Sequence, residues 1–252
     1  MLENFKSYSS TFSQDIPYRD KRPTSDKIFF LFCEGRITEE EYFHTFPSLF
    51  YDIKSKVQFI SLRDVISARI QQEKEKEQFM SRGKFWQLVD GMERFKKIED
   101  KTYEFSKHGD DEFWIIADVD DCWMDAYDKK WEKAIEKCKK LGYQYAISNP
   151  FFELWLLLHY DDVNDEDREY AVLSDNGYKK TDHFTLRLKY LDANIKRKHI
   201  DQSKYDKKNV LKAAKRAKEL HGNLDFDKPK ALTTTVFRLI ENIVALEKNF
   251  VK

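Results

Sequence analysis

The sequence predicts an α/β protein: a mostly parallel four-stranded sheet flanked by helices, with a helical insertion and a helical C-terminal extension. Three observations predict it. Two runs of strand length, KIFFLFC (Lys27 to Cys33) and FWIIA (Phe113 to Ala117), are continuously apolar, as in strands buried on both faces. Charged stretches of helical length alternate with such runs. Both runs end abruptly in acidic residues, Glu34 after the first and Asp118, Asp120 and Asp121 after the second. Carboxylates are thereby expected at the strand ends, where open α/β sheets hold their ligands.

The first 26 residues are polar, carry Lys21, Arg22 and Pro23, and read as a mobile arm. Lys27 to Cys33 follows as the first strand and stops at Glu34-Gly35, where the glycine lets a backbone approach a ligand closely. Thr38 and Glu41 have the spacing of a capping box, with Thr38 as N-cap. The glutamates Glu39 to Glu41 are then expected to cap and to offset the helix dipole. Glu34 precedes the helix and has no such explanation.

Val57 to Leu62 (VQFISL) is a weaker third strand signal. The charged region of about residues 64–107 reads as a helical insertion in the core, with Trp86, Leu88, Val89, Met92 and Phe95 able to line one helical face. After the acidic cluster, a helix from Ala126 to Leu141 is expected to end at Gly142. Tyr143 to Ile147 is the last strand, and Asn149-Pro150 suits the start of the helix that carries Glu153. Glu153 stands among apolar residues, where an ionised carboxylate costs several kcal/mol unless paired or metal-bound. His159 is expected to satisfy that helix's end. Residues 161–178 look acidic and turn-like, Ile200 to His221 forms a basic helix, and Val236 to Leu246 closes the core. The predicted organisation is thus an arm (1–26), an α/β core (27–160) and a helical extension packed on it (161–252).

Bulk properties narrow the function. The 252 residues, 41% apolar with 20 Phe and 13 Tyr, suffice for a substantial core. Lys+Arg and Asp+Glu balance at 45 each, which argues against a protein that coats nucleic acid through overall positive charge. Three cysteines without CxxC or Cys/His zinc spacing suit a reducing cytoplasm. No apolar run approaches the roughly 20 residues of a membrane span, and the N-terminus lacks a signal-peptide core. A cytoplasmic protein without a membrane segment is expected.

Closely spaced carboxylates raise one another's pKa unless a cation compensates. A hard divalent ion does so while leaving coordination positions for phosphate oxygens. The acidic end at Asp118, Asp120 and Asp121 therefore reads as a candidate site for a hard divalent ion such as Mg²⁺, with Glu34 and Glu153 expected on the same edge of the sheet.

The segments FCEGRITEEEYF, IIADVDD, AISNPFFELWLLLHY, GYKK and ALTTTVFRLIENI, in that order from about residue 27 to residue 246, resemble the RloB-like family and its TOPRIM arrangement. SNPFFELWLLLH is the most specific piece, and the charged region 64–107 the weakest. The resemblance implies a TOPRIM-like fold and Mg²⁺- or Mn²⁺-dependent cleavage of phosphodiester bonds, with RNA, tRNA included, favoured over DNA. It also implies a role in prokaryotic anti-phage defence beside a separate AAA- or ABC-type ATPase, and it leaves room for a homo-oligomer. Carried over to this chain, Glu34 matches the TOPRIM glutamate, a metal ligand or general acid/base. Asp118 and Asp120 match the metal-binding pair, Glu153 a further acidic ligand, and Lys180 a phosphate or transition-state contact. The sequence has no Walker-type phosphate loop, so an ATPase must be another chain. Two alternatives stay open. One is a phosphohydrolase of the HAD type with Asp118 as nucleophile; the other is a noncatalytic subunit that regulates an ATPase.

Overall fold

The structure, a computed structural model, describes residues 22–35, 37–54, 56–69, 84–119, 125–175, 183–191, 199–227 and 232–250. Strand β1 (Lys27–Cys33) leads through helices α1 (Thr38–Phe43) and α2 (Phe46–Leu49) to β2 (Val57–Ser61). Helices α3 (Leu62–Arg69) and α4 (Phe85–Tyr103) precede β3 (Glu112–Asp118), and α5 (Asp125–Leu141) joins β3 to β4 (Gln144–Asn149). Then come α6 (Phe152–Leu157), α7 (Asp165–Asp175), α8 (His183–Tyr190), α9 (Lys207–His221), the two-residue β5 (Thr233–Thr234) and α10 (Phe237–Phe250).

The strands form one sheet in the order β2-β1-β3-β4-β5, with the first four parallel and β5 antiparallel at the edge. Helices cover both faces, which is why the strands are continuously apolar. Phe29, Leu31, Trp114, Ile116 and Ala146 face one layer, packed with α1, α6 and the helices of the C-terminal part. Phe30, Phe32, Phe113, Ile115 and Ile147 face the other, packed with α3, α4 and α5. The chain leaves β1 for β2 on one side and returns to β3 on the other, so the order reverses between β1 and β3. Such a switch point opens a crevice at the carboxyl ends of the two strands.

Several details differ from expectation. The sheet has a fifth strand: Thr233 and Thr234 pair with Asn149 and Ser148. Thr235 extends the stitch, its hydroxyl accepting from the Ile147 amide at 2.8 Å. The core packing expected of the region 64–107 is present in α3 and α4, where Val65, Ile66, Leu88, Val89, Met92 and Phe95 are buried against the sheet. Gly91 of α4 packs so closely on the sheet that a Cβ there would lie 2.6 Å from the Phe32 ring. The C-terminal helices share the same core, since Phe184, Leu188, Val210, Phe237 and Ile240 cluster with Phe29 and Trp155. Residues 165–175 are helical, because Asn164 and Asp167 cap each other's amides (2.9 and 3.0 Å). The basic helix starts only at Lys207, behind the Asp206 N-cap.

Of the expected arm, residues 1–21 lie outside the described residues, but Arg22 is anchored. Its guanidinium donates to both oxygens of buried Asp111 (2.6 and 2.8 Å), and Asp111 also accepts from the Ile28 amide (2.9 Å). Gly142 ends α5 with φ +71°, as its sequence position predicts. Among the described residues no helix is long and apolar enough to cross a membrane.

Candidate metal and nucleic-acid site

Glu34 is the first residue past β1, and its amide continues the sheet by donating to the Ile116 carbonyl (2.8 Å). Asp118 is the last residue of β3, two positions beyond the end of the β1 pairing, in which Cys33 lies opposite Ile116. The Glu34 carboxylate turns across the gap and accepts the Asp118 amide at 3.1 Å. Two of the predicted residues therefore meet at the switch point, held by a bond that the β1–β3 register makes geometrically available.

Glu153 lies in the first turn of α6, directly past β4, the strand on the other side of β3. It is half-buried, whereas Phe152 and Leu154 to Leu157 are buried. The helix thus turns Glu153 outward from the apolar run in which the sequence places it. The helix start also differs: Asn149 ends β4, its peptide to Pro150 is cis, and the N-cap is Phe151 without a side-chain cap bond. His159 closes the same helix region, with Nδ1 donating to the Trp155 carbonyl (2.9 Å) and Nε2 accepting from the Tyr42 hydroxyl (3.1 Å). Burial holds its pKa down, to about 3, so the imidazole is neutral.

Sequence reasoning missed Glu39. The capping box does not form: α1 starts at Thr38, with Ile37 as N-cap and no side-chain cap bond. Each of its three glutamates has a separate partner. Glu41 accepts from the Ile200 amide (2.8 Å) and pairs with His199. Glu40 accepts from the Ser61 hydroxyl (2.6 Å). Glu39 folds back and accepts from the Gly35 amide (3.0 Å). A Cβ on Gly35 would lie 1.7 Å from a Glu39 carboxylate oxygen, so the absence of a side chain at Gly35 is what makes room for that carboxylate. A signal was present: Glu39 precedes Tyr42 by three residues and Phe43 by four, which puts it on the buried face of α1.

Burial raises the Glu39 pKa, and the charge of Glu153 adds to it, against hydrogen bonds from its own backbone and from Gly35; the group titrates at about 7. Burial likewise lifts Glu40 to about 7, with the Ser61 bond opposing. The described site therefore holds two neighbouring carboxylate groupings, Glu34 on the Asp118 segment and Glu39 beside Glu153.

Among the described residues no three His, Cys, Asp or Glu side chains converge on one metal-sized point. The expected close cluster of Glu34, Asp118 and Glu153 is therefore not formed. Like charges favour this separation, and Glu34 is drawn instead to a backbone amide. Asp120 and Lys180 lie outside the described residues, as does Lys179.

A family model described as RloB-like protein matches residues 29–243. The chain belongs to the RloB-like protein family. No curated protein and no solved structure matches it. In this RloB-like chain the matched span runs from within β1 into α10, so it takes in all of the sheet but the first two residues of β1, the Glu34–Asp118 contact and the Glu39–Glu153 neighbourhood.

Proposed function

We propose that this protein is a divalent-metal-dependent nuclease that hydrolyses phosphodiester bonds in RNA, tRNA included, as the effector of an anti-phage defence system with a separate ATPase. The observation that carries this reading is the meeting of Glu34 and Asp118 at the switch point of a parallel sheet, with Glu39 and Glu153 alongside. The donors are all carboxylate oxygens, and Glu39 is buried beside another negative charge, so the set fits a hard cation such as Mg²⁺ or Mn²⁺. Glu34, Asp118 and Glu153 do not converge on one point in the structure, so holding the ion would require these side chains to draw together around it; the family resemblance adds Asp120 as a further ligand. When bound, such an ion supplies Lewis-acid polarisation of phosphate oxygens and a more acidic water.

The chain's own residues do the rest. The Asp118 amide orients Glu34, and the Gly35 amide orients Glu39. Glu39, titrating at about 7, can hold or release a proton at its carboxylate near neutral pH. The family resemblance makes Lys180 the contact to the phosphate. The RNA preference and the partner ATPase rest on family membership.

The test is incubation of the purified protein with a tRNA pool and with plasmid DNA, in Mg²⁺ or Mn²⁺, beside Glu34→Gln and Asp118→Asn. The expected result is cleavage of tRNA, lost by roughly a hundredfold or more in both variants. Undiminished cleavage by Asp118→Asn would remove that residue from the site. Absence of both cleavage and Mn²⁺ binding in the wild type would favour a docking subunit.

A further inference from the structure

We propose that Arg63 is a positioning residue for Glu34, and the inference rests on reading Glu34 as a site carboxylate. Pairing of β1 with β2 ends at Leu31 opposite Ser61. Continuing that register would put position 63 beside Cys33, but the chain has already turned into α3. The Arg63 side chain takes the place of the missing strand. Its Nε and Nη2 donate to the Cys33 carbonyl (3.2 and 2.9 Å), and Nη2 also donates to the Glu34 carbonyl (3.0 Å).

Carbonyls of consecutive residues in an extended strand point to opposite sides. One guanidinium can take both only where the backbone turns between them. Arg63 therefore holds the chain at the point where Glu34 leaves the strand, and that departure aims the Glu34 carboxylate at the Asp118 amide. The side chain is buried, and its contact with Glu40, at 3.5 Å, is longer than these carbonyl bonds. Glu40 is in turn held by Ser61, the last residue of β2. Lysine keeps the charge but lacks the planar fork needed to span both carbonyls.

The test uses a readout independent of activity: hydrogen exchange of the Asp118 amide, followed by NMR on the full chain without metal. Wild type, Arg63→Lys and Glu34→Ala are compared, together with the Ile115 and Ile116 amides on the same strand. The expected result is an Asp118 exchange rate in Arg63→Lys raised by about tenfold, toward that of Glu34→Ala, the scale set by loss of one hydrogen bond to a charged acceptor. Ile115 and Ile116 should stay as protected as in the wild type. Wild-type protection of Asp118 in Arg63→Lys would overturn the proposal. An equal rise at Ile115 and Ile116 would also overturn it, by reducing Arg63 to a general structural role. Should the lysine variant not fold, Arg63→Gln, which retains a donor for the Cys33 carbonyl, carries the same expectation. Mn²⁺ titration of the wild type separates the two readings: a wild type that binds no Mn²⁺ refutes the metal site, while the Asp118 comparison still decides the role of Arg63.

Discussion

Replacement of Gly35 by alanine tests the link between the β1–α1 turn and the site. The new Cβ would lie 1.7, 2.1 and 2.2 Å from the three terminal atoms of the Glu39 side chain, far inside contact distance. What it meets is the end of a flexible side chain, so the fold can survive while the carboxylate leaves. Gly35 has no positive φ to strain the alanine. The cost is then the Gly35 amide left without its acceptor and a buried carboxylate driven from its donor, about 1–3 kcal/mol. For a chain of this length each kcal/mol moves Tm by roughly 2–4 °C.

The assay is a double-mutant cycle of Gly35→Ala and Glu39→Ala, read by thermal unfolding and by Mn²⁺ titration. With Glu39 already truncated, the alanine at 35 has nothing to displace and should cost almost nothing. The two substitutions should therefore be non-additive by about 1 kcal/mol or more. Additive effects, or a Gly35→Ala protein with wild-type Tm and wild-type Mn²⁺ affinity, would refute the claim that Gly35 exists to seat Glu39.

Further predictions follow from buried charge and close packing. Glu39 has its folded pKa raised from 4.5 to about 7, so its contribution to stability is fully present below about pH 4.5 and lost as pH rises to about 7. Without divalent cations, Glu39→Gln should match the wild type near pH 4.5 and exceed it above pH 7 by on the order of 1–3 kcal/mol in urea unfolding; a constant difference across this window would contradict the assignment. The comparison with the variant also cancels His159, whose depressed pKa acts in the opposite direction as pH falls. Asp111→Ala leaves the Arg22 guanidinium buried and the Ile28 amide without its acceptor, and should cost about 3–5 kcal/mol in chemical unfolding. Gly91→Ala presses a methyl group onto the Phe32 ring and should cost about 1–3 kcal/mol with the site intact, so Mn²⁺ affinity should not change.

Continuous apolar runs made β1 and β3 legible in the sequence, because a strand covered on both faces needs no polar side. The abrupt acidic stops marked Glu34 and Asp118 for the same reason: solvated carboxylates cannot continue a buried strand. Gly142 and His159 were readable because helix ends have local rules. Helix starts were less secure, since Thr38 and Asn149 carry capping chemistry that the tertiary structure does not use. Residues 165–175 looked like a loop because acidic composition concealed the reciprocal capping of Asn164 and Asp167.

Which carboxylates become neighbours could not be read from the chain alone. Strand order decides that β1 lies beside β3, and their register decides that Glu34 reaches the Asp118 amide. The three glutamates of α1 are chemically identical in sequence and nearly equivalent as dipole-compensating residues. Only the packed fold sends Glu41 to Ile200, Glu40 to Ser61 and Glu39 to Gly35. Apolar patterning and local turn chemistry act over a few residues, so the sequence by itself determined the strands, most helices and the acidic ends. Hydrogen bonds and burial between residues far apart in the chain depend on the pairing of the strands, so the site's geometry, and with it the titration of Glu39, was decided by the tertiary structure.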